Sequence, residues 1–595
     1  MAGKTTEPVD ITGAMIEGPV FLADWLVIAP VALCLTVAGF LLMIRKDVRR
    51  QIPLALGGLV VLVVLDAMLL AHVLQNGTIT MVMGRWLPPF GIAFTVDILG
   101  ALFALTSGIA ALAGGIYAVR DIEEREMRYG FWSFLFLMVG GVSGAFLTGD
   151  VFNLYVWFEV LLIASFGLLI LGSTVPQIDG ATKYAFLNLV ATTLFLIGTA
   201  FLYGSTGTLN MADMAIKLPL AADAGAPVIV IGALFVFAFA MKAAAFPVNF
   251  WLPASYHTPH IVVAALFAGL LTKVGLYALL RTVVMMMPAA RDELGLALAV
   301  VAALTMVTGA LGSLAQSDIR RLMGYLVISG IGVMLAGLAL ASTLGLAGTV
   351  FYAMHSILVM TALYMVAGTA GWMTNGFALE SMGGIYVRSA LFSAIALVLF
   401  FTVAGLPPFT GFWPKAMLVK ASVDIGAWWL AAAILFNGFV TTIAVGRVFA
   451  LGFWRPLPQG TATAQGTATA SVQPTSVQPA VLPTASDGDR ERAGDPDPFM
   501  ASPVAVPALS DHKPGFVSLA PVMALTAIVV AVGLFPGPVI DLAERAGMGL
   551  LDPSDYLDSV FPGLSEAALN GDGAVTGGAT VIVNENAAIP GEEAR

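Results

Sequence analysis

Charge is scarce in this chain. Of 595 residues, 11% are Asp, Glu, Lys or Arg, where a soluble domain carries about 25%. That shortage excludes a soluble enzyme, a nucleic-acid binder and a disordered scaffold for most of the length. Cysteine is almost absent. Cys34 stands alone, so no disulfide within the chain and no Cys-ligated zinc or iron–sulfur centre can be built. The five histidines, at 72, 257, 260, 355 and 512, show no paired spacing for a haem. What is abundant is apolar: 59% of the residues, with a mean hydropathy of +0.92. A helical span needs roughly 20 apolar residues, and the chain offers such runs almost back to back. The fold class expected is all-α, a polytopic membrane protein.

About fourteen spans meet the length criterion, near 21–44, 52–75, 90–119, 130–148, 151–172, 184–204, 227–250, 258–281, 293–314, 322–342, 345–371, 389–422, 427–452 and 517–540. No basic stretch precedes the first, so it reads as an uncleaved span rather than a signal peptide. The loops divide into two alternating sets carrying sixteen and seven Lys or Arg. The richer set is expected in the cytoplasm, which leaves both termini, the 1–20 segment included, outside. Arg281 counts as an external loop residue in this division. The net charge of −10 is local: ten acids against two arginines from Asp541 onward leave −2 for the other 540 residues. Residues 541–595 therefore read as an acidic external tail. Residues 456–515, with the near repeats GTATAQGTATA and SVQPTSVQP, cannot bury a core and read as a disordered cytoplasmic linker.

An ionisable side chain near the bilayer centre costs at least about 2.5–3.5 kcal/mol on insertion scales and is functional by default. Several occur here. Glu159 and Lys242 lie mid-span among apolar neighbours, and Lys273, Lys415, Lys420, Asp66, Asp97 and His355 sit in other spans. Glu159 and Lys242 could form a mutually neutralising pair that only fixes packing. They could also be proton sites, since a lysine able to lose its proton can relay it. The number of such residues favours the second reading. Lys420 lies near a span end, where it can snorkel to the interface. His355 could bridge lysines or be a neutral structural histidine.

Two spans are interrupted. The seventh reads MKAAAFPVNFWLP, with Pro247 and Pro253; the twelfth reads AGLPPFTGFWPK, with Pro407, Pro408 and Pro414. Proline removes a backbone donor and breaks a helix, and unwound backbone at membrane depth is tolerated only in protein or beside a cavity. Each break adjoins a lysine. Five spans separate them, an odd number, so the broken segments run in opposite directions. That is the pattern of inverted repeats, expected at 130–281 and 293–452 after three leading helices in 21–129.

The segments LTGDVFNLYVWFEVLLIASF (147–166), FPVNFWLPASYHTP (246–259), LLTKVGLYALLR (270–281), IRRLMGYLVISGIG (319–332) and GLPPFTGFWPK (405–415) resemble the antiporter-like proton-pumping subunits. These occur in respiratory complex I, membrane hydrogenases and the multisubunit Mrp-type (Pha) monovalent cation/proton antiporters. The likeness is strongest to the Mrp D subunits and runs from about 20 to 455, plus the last span. It implies a proton relay of Glu159, Lys242, Lys273, His355 and Lys415 along the membrane plane, with His257 as an auxiliary candidate; Asp97 and Lys420 are further auxiliary candidates from their places in the spans. It also implies a bacterial inner-membrane location, no cofactor, a larger antiporter-like partner and several small hydrophobic partners. Two positions depart from the family. Met360 stands where many relatives carry a lysine, and Tyr256 stands where some carry a histidine, with His257 next to it. Two other readings remain open here: the membrane arm of a complex I-like or hydrogenase-like redox enzyme, and a scaffold with inert buried pairs.

Overall fold

The computed structural model describes residues 15–16, 21–456 and 514–562. Most of the expected N-terminal segment, the linker between 457 and 513 and the tail beyond 562 lie outside the described residues.

The apolar runs form helices, in chain order α1 Leu22–Met43, α2 Val48–Asn76, α3 Ile98–Asp121, α4 Glu124–Arg128, α5 Phe131–Leu147, α6 Val151–Leu169, α7 Val175–Thr206, α8 Met211–Asp223, α9 Val228–Ala243 and α10 Trp251–Ser255. They continue with α11 Ile261–Met286, α12 Pro288–Ala315, α13 Ile319–Leu340, α14 Thr343–Thr374, α15 Ala390–Ala404, α16 Phe412–Asp424, α17 Trp428–Trp454, α18 Phe516–Leu534, α19 Gly537–Leu551 and α20 Ser554–Val560. Eleven helices among the described residues are long and apolar enough to cross a membrane. Three shorter apolar helices, α5, α9 and α15, fall on the remaining expected segments. One antiparallel ribbon, β1 Ile79–Val82 with β2 Ala93–Val96, joins α2 to α3.

Helix starts follow from local chemistry. The side chains of Asp97, Asp150, Asp318, Ser342 and Ser389 each accept a backbone N–H from the first turn that follows. Such caps satisfy donors that helix geometry leaves free. Burial separates the inner helices from the outer ones. α3, α11, α13 and α14 are enclosed by protein, whereas α1, α2, α7 and α12 leave one apolar face exposed, as lipid-facing helices do.

The twelfth segment, over 389–422, is broken where its prolines fall: it forms two helices, α15 and α16, with residues 405–411 unwound between them. One feature differs from the sequence expectation: the start of the expected acidic tail is folded. The last span ends at Leu534, and α19 and α20 follow it, burying Ala543, Ala546, Gly547, Leu550 and Tyr556. α19 packs on α14 and α3. Its acidic residues mark a polar outer face; small residues on the inner face, Ala543, Ala546 and Gly547, permit the close contact.

Candidate functional site: a buried lysine axis

Both broken helices end the same way. α9 stops at Ala244, which is left-handed (φ 61), and α15 stops at Gly405, also left-handed (φ 85). A left-handed residue turns the chain out of the helix and frees its last carbonyls. At the first break, Trp251 Nε1 donates to the carbonyl of Met241 at 3.1 Å, and Phe246 N donates to Thr305 Oγ1 at 3.0 Å. At the second, Lys415 Nζ donates to the carbonyls of Ala404 at 2.9 Å and Val403 at 3.3 Å. The lysine therefore does at one break what a tryptophan does at the other.

The five relay candidates are placed inside the bundle. Relative exposure is 0% for Lys273, 3% for His355, 5% for Lys242 and 8% for Lys415, so none of these groups can be solvated by bulk water. Glu159 on α6 is half-buried, and its Oε1 has no hydrogen-bond partner. Lys242 Nζ donates to Thr192 Oγ1 at 2.9 Å and stands 4.7 Å from the centre of the Phe158 ring. It lies within electrostatic reach of Glu159, yet the two form no direct ion pair. The reading of a closed, mutually neutralising pair thus has no contact to rest on. A cavity of about 10 Å³, lined by Lys242, Asn188, Tyr184, Trp251 and Phe158, adjoins the amine. That is space for about one water.

Lys273 lies on α11, and its Nζ donates to the carbonyl of Ala268 at 2.6 Å. Ala268 belongs to a π-helical turn, Phe267–Leu271. Such turns leave carbonyls out of the regular ladder and recur at functional sites. The sequence does not reveal this turn, because no proline or glycine pattern marks it. On the neighbouring face of α11, Gly275 meets the α9 backbone. A Cβ there would lie 3.0–3.3 Å from Ala243 N, Phe239 O and the Lys242 carbonyl carbon. Glycine thus lets α11 approach α9 beside Lys242.

His355 on α14 joins the second break to the axis. Its Nδ1 is 2.9 Å from Thr410 Oγ1 in the unwound segment, and its Nε2 is buried without a partner. It lies within electrostatic reach of both Lys415 and Lys273. Further buried polar atoms without partners, Thr272 Oγ1 and Ser356 Oγ, lie on the same two helices, α11 and α14. The structure therefore brings Glu159 near Lys242, and places His355 within reach of both Lys273 and Lys415. Met360, one of the departures, is buried on α14.

The auxiliary candidates are elsewhere. Lys420 is exposed and pairs with Asp424 one turn later at 2.6 Å, so it is a surface residue, not a buried charge. Asp97 caps α3 and binds both guanidinium nitrogens of Arg281. Arg281 is 0% exposed and also donates to Tyr277 Oη at 2.9 Å. Its assignment to an external loop is thereby corrected. A bidentate partner removes the cost that would drive it to water; its Asp lies 184 positions away, beyond the reach of local pattern. His257, in the loop before α11, bonds the Pro253 carbonyl at 2.9 Å and lies 3.1 Å from Arg321. Burial, and next the Arg321 charge, hold it below the usual histidine range. It belongs to the surface end of the bundle, not to the axis. Asp66 on α2 is buried against Gly108, and neither carboxylate oxygen has a hydrogen-bond partner among the described residues.

Among the described residues, no group of three or more His, Cys, Asp or Glu could hold a metal ion. The arrangement suits proton movement: amines held by one or two neutral acceptors, and an imidazole with one ring nitrogen left without a partner.

Comparisons with known proteins agree with this architecture. Residues 148–441 match the family described as NADH:quinone oxidoreductase/Mrp antiporter, transmembrane. The Na(+)/H(+) antiporter D subunit of Alkalihalophilus pseudofirmus is 32% identical over 536 residues, covering 90% of this chain and 99% of the relative. The corresponding Na(+)/H(+) antiporter protein of Bacillus subtilis, also a D subunit, is 36% identical over 431 residues, 72% of this chain and 87% of the relative. A chain in the solved Mrp complex of a Dietzia species superposes with a TM-score of 0.78 at 27% identity, covering 91% of this chain and all of that one. The chain belongs to the NADH:quinone oxidoreductase/Mrp antiporter family of membrane proteins, within the branch of the antiporter D subunits.

Proposed function

We propose that this chain is the proton-translocating subunit of a multisubunit Na⁺(K⁺)/H⁺ antiporter in a bacterial inner membrane. Protons pass along Glu159, Lys242, Lys273, His355 and Lys415. The carrying observation is the burial of three lysines and a histidine with no direct counter-ion among the described residues, in a bundle with two matching helix breaks. Each amine is held by one hydroxyl or by backbone carbonyls, which support the charged form without fixing it. A proton arriving on one group repels the charge on the next, and that repulsion is strong where water is scarce. The charges are therefore coupled, and loss of a proton at one end favours uptake at the other.

The matching left-handed exits of α9 and α15 support inverted repeats at 130–281 and 293–452. The basic loops support an orientation with the α3–α4 end in the cytoplasm and both termini outside. The D-subunit relatives favour an antiporter over a redox complex, and the partners would be the other hydrophobic subunits of that assembly. The test is co-purification in mild detergent, followed by Na⁺- or K⁺-driven proton exchange by the purified assembly in vesicles. Exchange by an assembly without flavin or iron–sulfur partners bears the reading out. An assembly that carries redox partners and shows no cation exchange refutes it.

A further inference from the structure

Resting on that reading and its orientation, we infer that the Tyr184 hydroxyl, backed by Ser165, is the cytoplasm-side proton partner of Lys242. Neither residue belongs to the lysine axis. Tyr184, Asn188 and Thr192 recur at every fourth position of α7, so they share one face of that helix. All three are buried. This polar stripe runs beside Lys242: Thr192 accepts from its Nζ, and Asn188 and Tyr184 line the water-sized cavity next to the amine. Polar groups turned into an apolar bundle are costly unless each is bonded, so the bonds they make are informative.

Those bonds separate the three. Thr192 Oγ1 gives its hydrogen to the Asn188 carbonyl at 2.9 Å, and Asn188 Nδ2 donates to the Tyr184 carbonyl at 2.9 Å. Behind Thr192 there is thus an amide, which does not pass protons on. The other residues lining the cavity are apolar except Trp251, whose N–H is held by the Met241 carbonyl. Tyr184 differs. Its Oη lies 2.9 Å from Ser165 Oγ on α6, and Ser165 Oγ donates to the Leu162 carbonyl at 2.7 Å. A serine has one hydrogen to give, so Tyr184 is the donor of the pair and its oxygen keeps lone pairs for an incoming proton.

The two hydroxyls pass a proton by donating in turn. One water in the cavity takes the proton from Lys242 and gives one to Tyr184 Oη. The tyrosine hydrogen moves to Ser165 Oγ, and the serine hydrogen turns away from Leu162, whose carbonyl keeps its helical partner. Lys242 is left neutral, and neither hydroxyl keeps a charge. Ser165 lies four residues, about 6 Å, from the end of α6 at Leu169. In the proposed orientation that end faces the cytoplasm, the side on which an antiporter driven by external protons releases them.

The test measures cation-driven proton exchange by the intact complex in vesicles, with Tyr184→Phe, Ser165→Ala and Ser165→Thr compared at equal assembly. Tyr184→Phe removes one oxygen and leaves the ring against Phe166, Trp251 and Phe267. Ser165→Thr keeps the hydroxyl. Tyr184→Phe and Ser165→Ala are expected to slow exchange about a hundredfold, as loss of a positioned proton-transfer group does, while Ser165→Thr stays near the parental rate. The two slowed variants should also lose more rate in heavy water than the parent, because proton transfer has become limiting; a packing defect leaves that ratio unchanged. Parental exchange in Tyr184→Phe overturns the inference. So does a loss in all three variants with an unchanged heavy-water ratio, which marks a structural tie. Should Tyr184→Phe fail to assemble, the serine pair decides: equal rates in Ser165→Ala and Ser165→Thr overturn the inference. Lys242→Ala in the same vesicles separates this step from the relay itself. Normal exchange there refutes the relay reading, whereas no exchange there beside parental exchange in Tyr184→Phe refutes only the Tyr184 step.

Discussion

Lys273 Nζ donates to the carbonyl of Ala268, five residues earlier on the same helix and inside its π-helical turn. The bond ties the amine to backbone rather than to a carboxylate. Nothing in that contact requires the amine to stay charged: a neutral amine donates to a carbonyl as well. Lys273→Met removes the donor and leaves the carbonyl short of a partner, a loss of about 1 kcal/mol. Proton exchange should vanish while the complex still assembles. Exchange assays and co-purification on one preparation check both.

Gly411 closes the second break. A methyl group there would collide with the Thr402 carbonyl oxygen and stand 3.1 Å from His355 Cε1. Gly411→Ala must displace one of them, at a cost of about 1–3 kcal/mol. The expected outcome is a lower unfolding temperature and impaired exchange, read by thermal unfolding and the vesicle assay.

Asp97 and Arg281 test the opposite end of α11. Asp97→Asn keeps the cap on Gly100 but removes the countercharge of a fully buried guanidinium. Breaking such a pair from one side costs about 3–5 kcal/mol. Adding Arg281→Met to Asp97→Asn should recover part of that loss. A double variant no more stable than the single one would contradict this assignment.

Asp150, which caps α6 just outside the span, gives a pH signature. Burial pushes its carboxyl up to about 6, against the backbone N–H groups of Asn153 and Phe152, which pull it down. The folded state thus favours the protonated acid. Its contribution to stability is full below the ordinary carboxylate pKa near 4 and is lost as the pH rises through about 6. Asp150→Asn keeps an acceptor for the Asn153 N–H and never ionises. Above pH 6 it should be more stable than the parent by about 2–3 kcal/mol, and near pH 4 equal to it. Unfolding temperatures at pH 4, 5 and 8 decide this.

The apolar runs made the helices legible, because every membrane helix must bond its backbone internally and must be long and apolar. Pro247 and Pro408 marked the breaks for the same local reason. The lysines stood out because a charge in an apolar run is conspicuous. What stayed hidden depends on distance in sequence. The partner of Arg281 is 184 residues away, and Thr192 reaches Lys242 across 50. Lys420 is exposed, as its place near a span end indicated, but its partner Asp424 on the same exposed face is not something hydropathy reveals. Glu126 and His260 look like ordinary loop charges until α4 and the start of α11 are brought together.

The central claim is that buried lysines carry the proton. Lys242 is the most direct place to test it, since it has one hydroxyl partner, no direct ion pair and a water-sized space beside it. The measurement is Na⁺-driven proton exchange by the purified complex in vesicles, comparing the parent with Lys242→Ala at equal assembly. The account predicts that exchange is abolished while the partners still co-purify. Parental rates in the Lys242→Ala complex would contradict it, leaving the buried amines as inert packing.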